Sequence, residues 1–256
     1  MTGNSLRRAV RTGLRVASRP VHPLLGSIRS VRTDRPVAAL TFDDGPDEYH
    51  TARILDVLAR HDAKATFFVL AQRAARYPEI LSATRAAGHE IALHGDDHSP
   101  LVGCSTREKL AKIRRGKSRL EALLGEPVRL FRPPYGWQDV RSFLAARALN
   151  LEVIGWTAEG GDWLELTPAQ VADRATAGLA HGSILLLHDR AEPLPRRSDE
   201  TSPRHLDRAE VVEQLFQRAA TRGLHFVPVG RLLAEGSALR LPWFWRPVAS
   251  DTAPRS

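Results

Sequence analysis

The strongest constraint on the fold is a repeated alternation of short apolar segments and longer amphipathic segments between residues 37 and 235. The apolar segments are rich in β-branched and aromatic residues and indicate strands, whereas the Ala-, Arg- and Leu-rich segments between them indicate helices. Strands separated by helices pair in parallel through right-handed crossovers. The alternation therefore predicts an α/β protein, and seven strand segments favour a distorted, incomplete (β/α)7-8 barrel.

The predicted strands are residues 37–42, 65–70, 89–94, 128–133, 151–156, 183–188 and 224–229. The predicted helices are residues 50–61, 72–87, 105–124, 138–149, 168–180 and 207–222. Gly88, Gly125 and Gly223 lie where three of these helices should end, because glycine readily adopts the left-handed conformation found after helix C-termini. We find no internal sequence repeat.

The net charge of +8 at pH 7 is concentrated near the N-terminus. Residues 1–36 contain eight arginines and one acidic residue, so the remaining residues carry a net charge of only +1. A nucleic-acid-binding domain would spread positive charge over a folded surface, and we therefore expect no nucleic-acid partner. The single cysteine, Cys104, excludes an intrachain disulfide.

We divide the chain into a basic N-terminal arm (1–36), a globular domain (37–235) and a C-terminal tail (236–256). The tail contains an aromatic cluster, Trp243, Phe244 and Trp245. We expect this cluster to pack on the barrel, with contact to a membrane or a glycan as the alternative. Residues 190–206 are charged and rich in proline, which predicts a long loop at the rim of the barrel.

The basic arm has apolar residues at i, i+4 and i+8 (Leu6, Val10 and Leu14), a spacing that indicates a short amphipathic helix. We expect a solvated, disordered leader, and the alternative is peripheral contact of residues 1–20 with anionic lipid. No segment has the length and apolarity of a secretory signal or a membrane span. The expectation is therefore a cytoplasmic protein, membrane-associated if the arm contacts lipid. The oligomeric state is not predicted.

Polar side chains follow the predicted strands on one side of the barrel. Asp43 and Asp44 come directly after the first strand and precede a Gly-Pro turn, and His94 and His98 follow the third strand. The carboxyl ends of barrel strands meet at one rim, where active sites of such barrels form. Two imidazoles and one carboxylate make a three-ligand set with open positions, which suits Zn²⁺, Co²⁺ or Fe²⁺.

Three further strand ends carry polar or aromatic residues on the same predicted rim. Arg132 lies in the segment FRPPYGW, Asp162 and Trp163 follow the fifth strand, and His188 ends the buried strand of LLLHD. A buried arginine can hold a carboxylate, and consecutive prolines restrict the backbone after them. Five polar strand ends on one rim indicate an active site more strongly than any one of them alone.

The motifs TFDDGP, H-x-x-x-H, RPPYG, DW and LLLHD occur in this order between residues 40 and 189. This ordered set resembles the five motifs of the polysaccharide deacetylases, carbohydrate esterase family 4, which includes chitooligosaccharide deacetylases. The resemblance covers approximately residues 37–235, nearly all of the globular part, and implies that this part is the catalytic domain. It also implies a distorted, incomplete β/α barrel, in agreement with the strand count.

The resemblance implies one divalent metal ion, held by Asp44, His94 and His98, with Zn²⁺ expected and Co²⁺ as the alternative. The implied catalytic residues are Asp43 as general base, Arg132 as its ion-pair partner, the Tyr135 backbone N–H as oxyanion donor, His188 as general acid, and Asp162 as the residue that orients it. The implied substrate-binding residues are Trp163 and Leu186, which would wall a pocket for the acetyl methyl group, and Trp137, which would stack on a sugar ring or pack structurally.

One residue of the metal-ligand segment departs from the pattern. Gly95 stands where many relatives have serine or threonine, and we expect it to change the loop geometry or the metal affinity without abolishing activity. The two acidic residues between the histidines, Asp96 and Asp97, are predicted to be solvated. The segment before Trp163 lacks some polar residues that relatives carry, so the substrate contacts stay undefined.

The predicted function is metal-dependent hydrolysis of an acetyl group from an N-acetylated sugar in a glycan, an oligosaccharide or a lipid-linked saccharide. A cytoplasmic location would favour a lipid-linked or soluble substrate. One alternative is hydrolysis of another C–N bond or an ester. A second is a catalytically silent glycan-binding module, which would not require Asp43 or His188. A third, an Fe(II) oxygenase, fits poorly because such sites commonly lie on β-sandwiches.

Overall fold

The computed structural model describes residues 26–190 and 206–242. Within these ranges the strands are β1 (Ser27–Arg32), β2 (Val37–Asp43), β3 (Thr66–Leu70), β4 (Glu90–Gly95), β5 (Leu130–Phe131), β6 (Glu152–Val153), β7 (Ala158–Glu159), β8 (Ile184–His188), β9 (His225–Val227) and β10 (Ser237–Leu241). The helices are α1 (His50–Arg60), α2 (Ala71–Arg76), α3 (Pro78–Ala86), α4 (Thr106–Leu124), α5 (Val140–Ala148), α6 (Pro168–Ala177), α7 (Arg208–Ala220) and α8 (Val229–Ala234), with a 3₁₀ turn at Pro134–Gly136.

Eight of these strands form one curled parallel sheet. Its order is β6-β5-β4-β3-β2-β8-β7, and β9 pairs with the lower part of β2. Every pairing in this sheet is parallel, as helical crossovers require. The prediction of an α/β fold with an incomplete barrel is confirmed. The sheet contains all seven predicted strands and one that was not predicted, the two-residue β7.

The two faces of the sheet bury different sets of side chains. The outer set packs against the helices and includes Leu40, Phe42, Phe67, Val69, Leu185 and Leu187. The inner set fills the barrel and includes Ala39, Phe68, Ala92, Leu130 and Ile184. Successive residues of a strand point to opposite faces, so this alternation determines which residue at each strand end faces the barrel interior.

The helix boundaries follow local chemistry. Reciprocal side-chain and backbone hydrogen bonds of the capping-box type begin three helices, with Ser105, Asp139 and Thr167 as the N-caps of α4, α5 and α6. The helix predicted over 72–87 is instead two helices, α2 and α3, with Pro78 at the start of the second. Proline lacks the N–H that a helix interior requires, so the chain begins a new helix there.

An antiparallel ribbon of β1 and β10 lies outside the main sheet. Ile28 and Val31 of β1 are 1% and 2% exposed and pack with the inner set of side chains. The Val31 N–H donates to the Gly182 carbonyl oxygen, and the Gly155 N–H donates to the Ile28 carbonyl oxygen. Parts of the predicted arm and tail thus form strands that pack with the barrel, and the division of the chain into domains stays a prediction.

Three predictions concern residues outside the described ranges: the amphipathic helix with its lipid contact at residues 1–20, nearly all of the rim loop, and the aromatic cluster at 243–245. They stay predictions. Among the described helices, none is both long enough and apolar enough to cross a bilayer.

The contact between β1 and the barrel can be tested at Gly182. This residue has φ +75°, and a Cβ added to it would overlap the Val31 carbonyl oxygen. We expect Gly182→Ala to lower the free energy of unfolding by about 1–2 kcal/mol for the left-handed backbone, plus roughly 1–3 kcal/mol for the displaced strand. Urea denaturation measures the loss.

The matched control is Gly223→Ala, because Gly223 has φ +62° and no atom within 4 Å of an added Cβ. Its free energy of unfolding should fall only by the contribution of the left-handed backbone. Equal losses in the two variants would contradict the close packing of β1 on the barrel.

Candidate active site

Four polar side chains continue the inner set at the C-terminal rim of the sheet. Asp43, at the end of β2, is paired in register with His188 at the end of β8. His94 on β4 and Arg132 just after β5 follow inner-facing Ala92 and Leu130 by two residues, so the pleat places them on the same face. The two-residue period of the strands thus brings a carboxylate, a guanidinium and two imidazoles to one end of the barrel.

The adjacent carboxylates of Asp43 and Asp44 point to different partners. Asp44 lies beyond the regular strand with φ +78°, in the left-handed region that side-chain-bearing residues seldom adopt. Its carboxylate lies beside His94 and His98, whereas that of Asp43 lies beside Arg132. The strained backbone after β2 therefore separates two neighbouring acids into two environments.

Asp44, His94 and His98 form a candidate metal site. The Asp44 Oδ1 atom lies 3.1 Å from the Nε2 atom of each histidine, and one ligand atom from each residue lies within 4.8 Å of the others. Asp44 and His94 are each 2% exposed. Burial opposes ionisation of Asp44, but the His98 and His94 side chains beside it lower its pKa well below the usual value.

The orientation of His94 fits metal ligation. Its Nδ1 atom lies 2.9 Å from the Arg132 carbonyl oxygen, which can only accept a hydrogen bond. A proton on Nδ1 would donate to this oxygen and would leave Nε2, which lies beside Asp44, available to a metal ion. The centre of the His98 ring lies 4.1 Å from that of the Tyr135 ring, with the two ring planes tilted by 50°. These three donors fit a divalent ion such as Zn²⁺, which binds two imidazoles and one carboxylate in catalytic sites.

Arg132 is fully buried and pairs with Asp43. Its Nη1 atom donates to Asp43 Oδ1 at 2.6 Å and to Thr41 Oγ1 at 2.8 Å, and its Nη2 atom donates to the Gly155 carbonyl oxygen at 3.2 Å. The guanidinium also lies 4.1 Å from the centre of the Phe68 ring. This charge-assisted contact pairs the Asp43 carboxyl group with a buried guanidinium, and Asp43 is not one of the three converging residues.

On the other side of the site, His188 is paired with Asp162. The His188 Nδ1 atom lies 2.9 Å from Asp162 Oδ1, and the His188 N–H donates to Asp162 Oδ2 at 2.8 Å. Burial disfavours the protonated imidazole, but the Asp162 carboxylate, together with smaller effects of Asp44 and Asp43, outweighs burial and raises the pKa of His188 to about 9. His188 is therefore cationic at neutral pH, and the Trp163 ring meets it edge to face at 5.4 Å.

Arg208, at the start of α7, is a third member of this group. The sequence analysis did not identify it. It is 3% exposed, and its Nη1 atom donates to Asp162 Oδ2 at 2.7 Å and to the His188 carbonyl oxygen at 2.9 Å. One signal could have identified it. Cations are unfavourable in the first turn of a helix, so an arginine directly after the N-cap Asp207 needs a separate reason.

Asp189 is another buried acid. It belongs to the motif LLLHD, but the sequence analysis assigned no role to it. It is 1% exposed and accepts a hydrogen bond from Thr51 Oγ1 at 2.6 Å. Its carboxyl group occupies the space that a side chain at Gly45 would need. Burial raises the pKa of Asp189 to about 7, and the nearby Asp47 carboxylate acts in the same direction. Asp189 thus supports the turn after Asp44 from below.

The three residues assigned to substrate binding lie around these groups. Leu186 is an inner-facing residue of β8, two positions before His188 and 3% exposed. Trp163 lies against His188, and Trp137 packs at 5.0 Å from the Tyr135 ring. Tyr135 has φ +60°, a second strained position at the rim. Their roles stay predictions.

The segment between the two histidines is more tightly built than the sequence indicated. Asp96 is 3% exposed and accepts hydrogen bonds from Arg115 and Arg119, so the prediction that it is solvated is wrong. The reason is that α4 covers this segment. Gly95 has φ +141°, and a Cβ there would lie 2.8 Å from the Asp97 carbonyl oxygen, so this loop conformation favours glycine over serine or threonine.

Comparison with known proteins matches residues 30–154 to the family described as polysaccharide deacetylase. The chain is 36% identical over 163 residues to a chitooligosaccharide deacetylase of Sinorhizobium fredii, which covers 63% of this chain and 75% of that relative. It is 29% identical over 208 residues to the peptidoglycan-N-acetylglucosamine deacetylase PgdA of Listeria monocytogenes, which covers 81% of this chain but 41% of that relative.

The fold is also similar to that of a solved structure, a family 4 acetyl xylan esterase from Clostridium thermocellum in complex with a cobalt ion. The TM-score is 0.66 at 30% sequence identity, covering 77% of this chain and 90% of the esterase.

The Asp162–His188 pair predicts a measurable pKa change. We expect Asp162→Asn to lower the pKa of His188 well below about 9, because burial is then opposed only by the smaller effects of the Asp44 and Asp43 carboxylates. The His188 imidazole would therefore lose its proton at a correspondingly lower pH than in the wild type. NMR titration of the His188 ring protons measures the shift.

Asp173→Asn is the control, because Asp173 pairs with Arg218 at the surface and should leave the His188 titration unchanged. A His188 pKa that stays near 9 in Asp162→Asn would contradict the assignment of Asp162 as the cause.

Proposed function

Because the chain belongs to the polysaccharide deacetylase family, we propose that it is a metal-dependent hydrolase that removes the acetyl group from an N-acetylated sugar. The observation that carries the proposal is the convergence of Asp44, His94 and His98 between two differently charged groups. On one side is the carboxylate of Asp43, which is not among the ligands, and on the other is the cationic imidazole of His188.

The substrate class follows from the relatives. Two of them are a chitooligosaccharide deacetylase and a peptidoglycan-N-acetylglucosamine deacetylase, and both names specify removal of acetyl groups from amino sugars. A chito-oligosaccharide or another glycan that contains N-acetylhexosamine is therefore the substrate class we propose for this chain.

Asp44, His94 and His98 would hold one divalent ion, with Zn²⁺ expected and Co²⁺ as the alternative; the cobalt complex of the related esterase supports an ion of this kind. When bound, such an ion supplies Lewis acidity that polarises the acetyl carbonyl and lowers the pKa of water. The protein groups around it provide the proton transfers.

Asp43 is the proposed general base. Amide hydrolysis adds the hydroxyl of water to the carbonyl carbon, and the remaining proton of that water must be accepted. Asp43 can accept it because Arg132 holds its Oδ1 atom in place and because it lies outside the set of candidate ligands. The two adjacent carboxylates at the end of β2 thus have separate tasks: Asp44 binds the ion and Asp43 takes the proton.

His188 is the proposed general acid. Breaking the C–N bond leaves an amine nitrogen that needs a proton, and the raised pKa of His188 keeps one on its ring at neutral pH. Asp162 and Arg208 hold the imidazole in place from behind. Each such acid or base step typically contributes about 10²–10⁴-fold in rate.

The remaining assignments concern the acetyl group and the sugar. Trp163 and Leu186 flank His188 and would enclose the acetyl methyl group. The Tyr135 backbone N–H would donate to the developing oxyanion, and the position of its ring against His98 places that residue beside the metal ligands. Trp137, next to Tyr135, would stack on a sugar ring.

A second candidate is ester hydrolysis, because the solved relative with 30% identity is an acetyl xylan esterase. The same base, acid and ion would serve an ester, whose alkoxide leaving group depends less on a proton from His188. Substrate preference separates the two functions.

The direct experiment measures acetate released by the purified chain from chitooligosaccharide and, in parallel, from acetylated xylan. We expect release from chitooligosaccharide that a chelator abolishes and that Zn²⁺ or Co²⁺ restores. Preference for xylan would support the esterase candidate. Glycan binding with no acetate release in any metal would indicate a silent binding module and refute the hydrolase.

Two substitutions separate metal binding from catalysis. We expect Asp43→Asn to retain the metal and to lose activity by about 10²–10⁴-fold, since it removes only the proton acceptor. His94→Ala should lose both, because it removes a ligand. Zinc content and acetate release are measured on the same samples, with exposed Asp56→Asn as the control. Full activity in Asp43→Asn would exclude this residue as the base.

A further inference from the structure

Asp96 is a buried acid that has no part in the proposed reaction, yet it stands midway between the two histidine ligands. It is 3% exposed, and it is not one of the three converging metal ligands in the described part of the chain. A buried carboxylate is strongly unfavourable unless it is paired and hydrogen-bonded. Its partners therefore indicate what its position serves.

Both carboxylate oxygens of Asp96 are bonded to side chains outside its own loop. Arg115 Nε donates to Oδ2 at 2.5 Å, and Arg119 Nε donates to Oδ1 at 2.8 Å. Gln72 donates its backbone N–H to the Asp96 carbonyl oxygen at 2.9 Å and its side-chain amide to Oδ2 at 3.2 Å. The residue between the ligands is thus held from α4 on one side and from α2 on the other.

The backbone of α4 also touches the ligand loop directly. Gly116 lies between the two arginines in sequence, and a Cβ added to it would lie 2.7 Å from the Asp96 backbone nitrogen and 2.9 Å from the Gly95 carbonyl carbon. Glycine at this helical position allows the close approach, although it is less favourable than alanine in a helix by about 1 kcal/mol. We call Asp96, Arg115, Gly116 and Arg119 the loop clamp.

Within the loop, Asp97 accepts hydrogen bonds from the Ser99 backbone N–H and hydroxyl. Gly95 has no side chain with which to brace the histidines, and it adopts φ +141°. The His98 Nδ1 atom is buried without a hydrogen-bond partner among the described residues, so no bond to that nitrogen orients the ring. His94 is oriented by the Arg132 carbonyl oxygen, whereas His98 is positioned by its contact with the Tyr135 ring and by the path of the loop that carries it.

We propose that Asp96 is a positioning residue that, through Arg115 and Arg119, holds the segment from His94 to His98 in its metal-binding geometry and thereby sets the affinity for the divalent ion. The inference rests on the metal site of the proposed function. It assigns to α4 the bracing that a hydroxyl side chain at the position of Gly95 would otherwise supply. Residues that orient metal ligands typically change metal affinity by about 10–100-fold when removed.

The test is the Zn²⁺ dissociation constant of the full chain, measured by competition with a chromogenic chelator. We expect Asp96→Asn, and independently the double variant Arg115→Gln/Arg119→Gln, to weaken Zn²⁺ binding by about 10–100-fold. The matched control is Arg114→Gln on the same helix, because Arg114 is exposed and forms no hydrogen bond or ion pair with described residues. The control should bind Zn²⁺ like the wild type.

A role limited to folding is separated by urea denaturation, carried out once with chelator and once with saturating Zn²⁺. A positioning role reduces the stabilisation that Zn²⁺ adds, because that increment depends on the dissociation constant. Equal losses with and without Zn²⁺, or an unchanged dissociation constant in both clamp variants, would overturn the proposal. If Asp96→Asn does not fold, the double variant, which keeps the carboxylate, decides.

His94→Ala distinguishes failure of this inference from failure of the proposed function. If His94→Ala abolishes Zn²⁺ binding while both clamp variants bind normally, only the role of the clamp is refuted. If His94→Ala binds Zn²⁺ as tightly as the wild type, the metal site itself is wrong, and both proposals fall together.

Discussion

The buried ion pair between Arg132 and Asp43 is the contact on which the rest of the site depends. Arg132 is 0% exposed, and its guanidinium joins the ends of β5 and β2 while its carbonyl oxygen orients the imidazole of His94. Removing one member of a buried pair typically costs about 3–5 kcal/mol, because it leaves an uncompensated charge. The proposed general base, Asp43, and one proposed metal ligand, His94, are therefore both held by Arg132.

Asp43 and His188, at the ends of two paired strands, have oppositely charged surroundings. Arg132 is the ion-pair partner of Asp43, whereas Asp162, itself held by Arg208, stabilises the cationic form of His188. Such a separation of titratable groups is what acid–base hydrolysis requires. The same principle recurs at Asp96, where two arginines compensate a third buried acid. Among the described residues, Asp43, Asp96 and Asp162 are thus buried beside arginines, whereas Asp189 is buried with the Thr51 hydroxyl as its hydrogen-bond partner.

Much of the site could be predicted because its residues lie at strand ends, where a period of two and a parallel sheet leave few choices. Once 37–42 and 183–188 are strands, Asp43 and His188 must reach the same rim. The same reasoning could not identify Arg208 or the burial of Asp96, because each depends on which helix packs against which loop. Nor did it identify β1, whose alternating Ser and Arg residues resemble a solvated arm.

The amino-acid sequence by itself determined the fold class, the family and the types of side chain available for chemistry, since these follow from local periodicity and from motifs in a defined order. Only the tertiary structure decided which acids are solvated and which are buried, and how β1 and β10 pack with the barrel. The reason is physical: the partners of Asp96, Asp162 and Ile28 lie from 19 to more than 100 residues away. Their pairing depends on packing that no local pattern encodes.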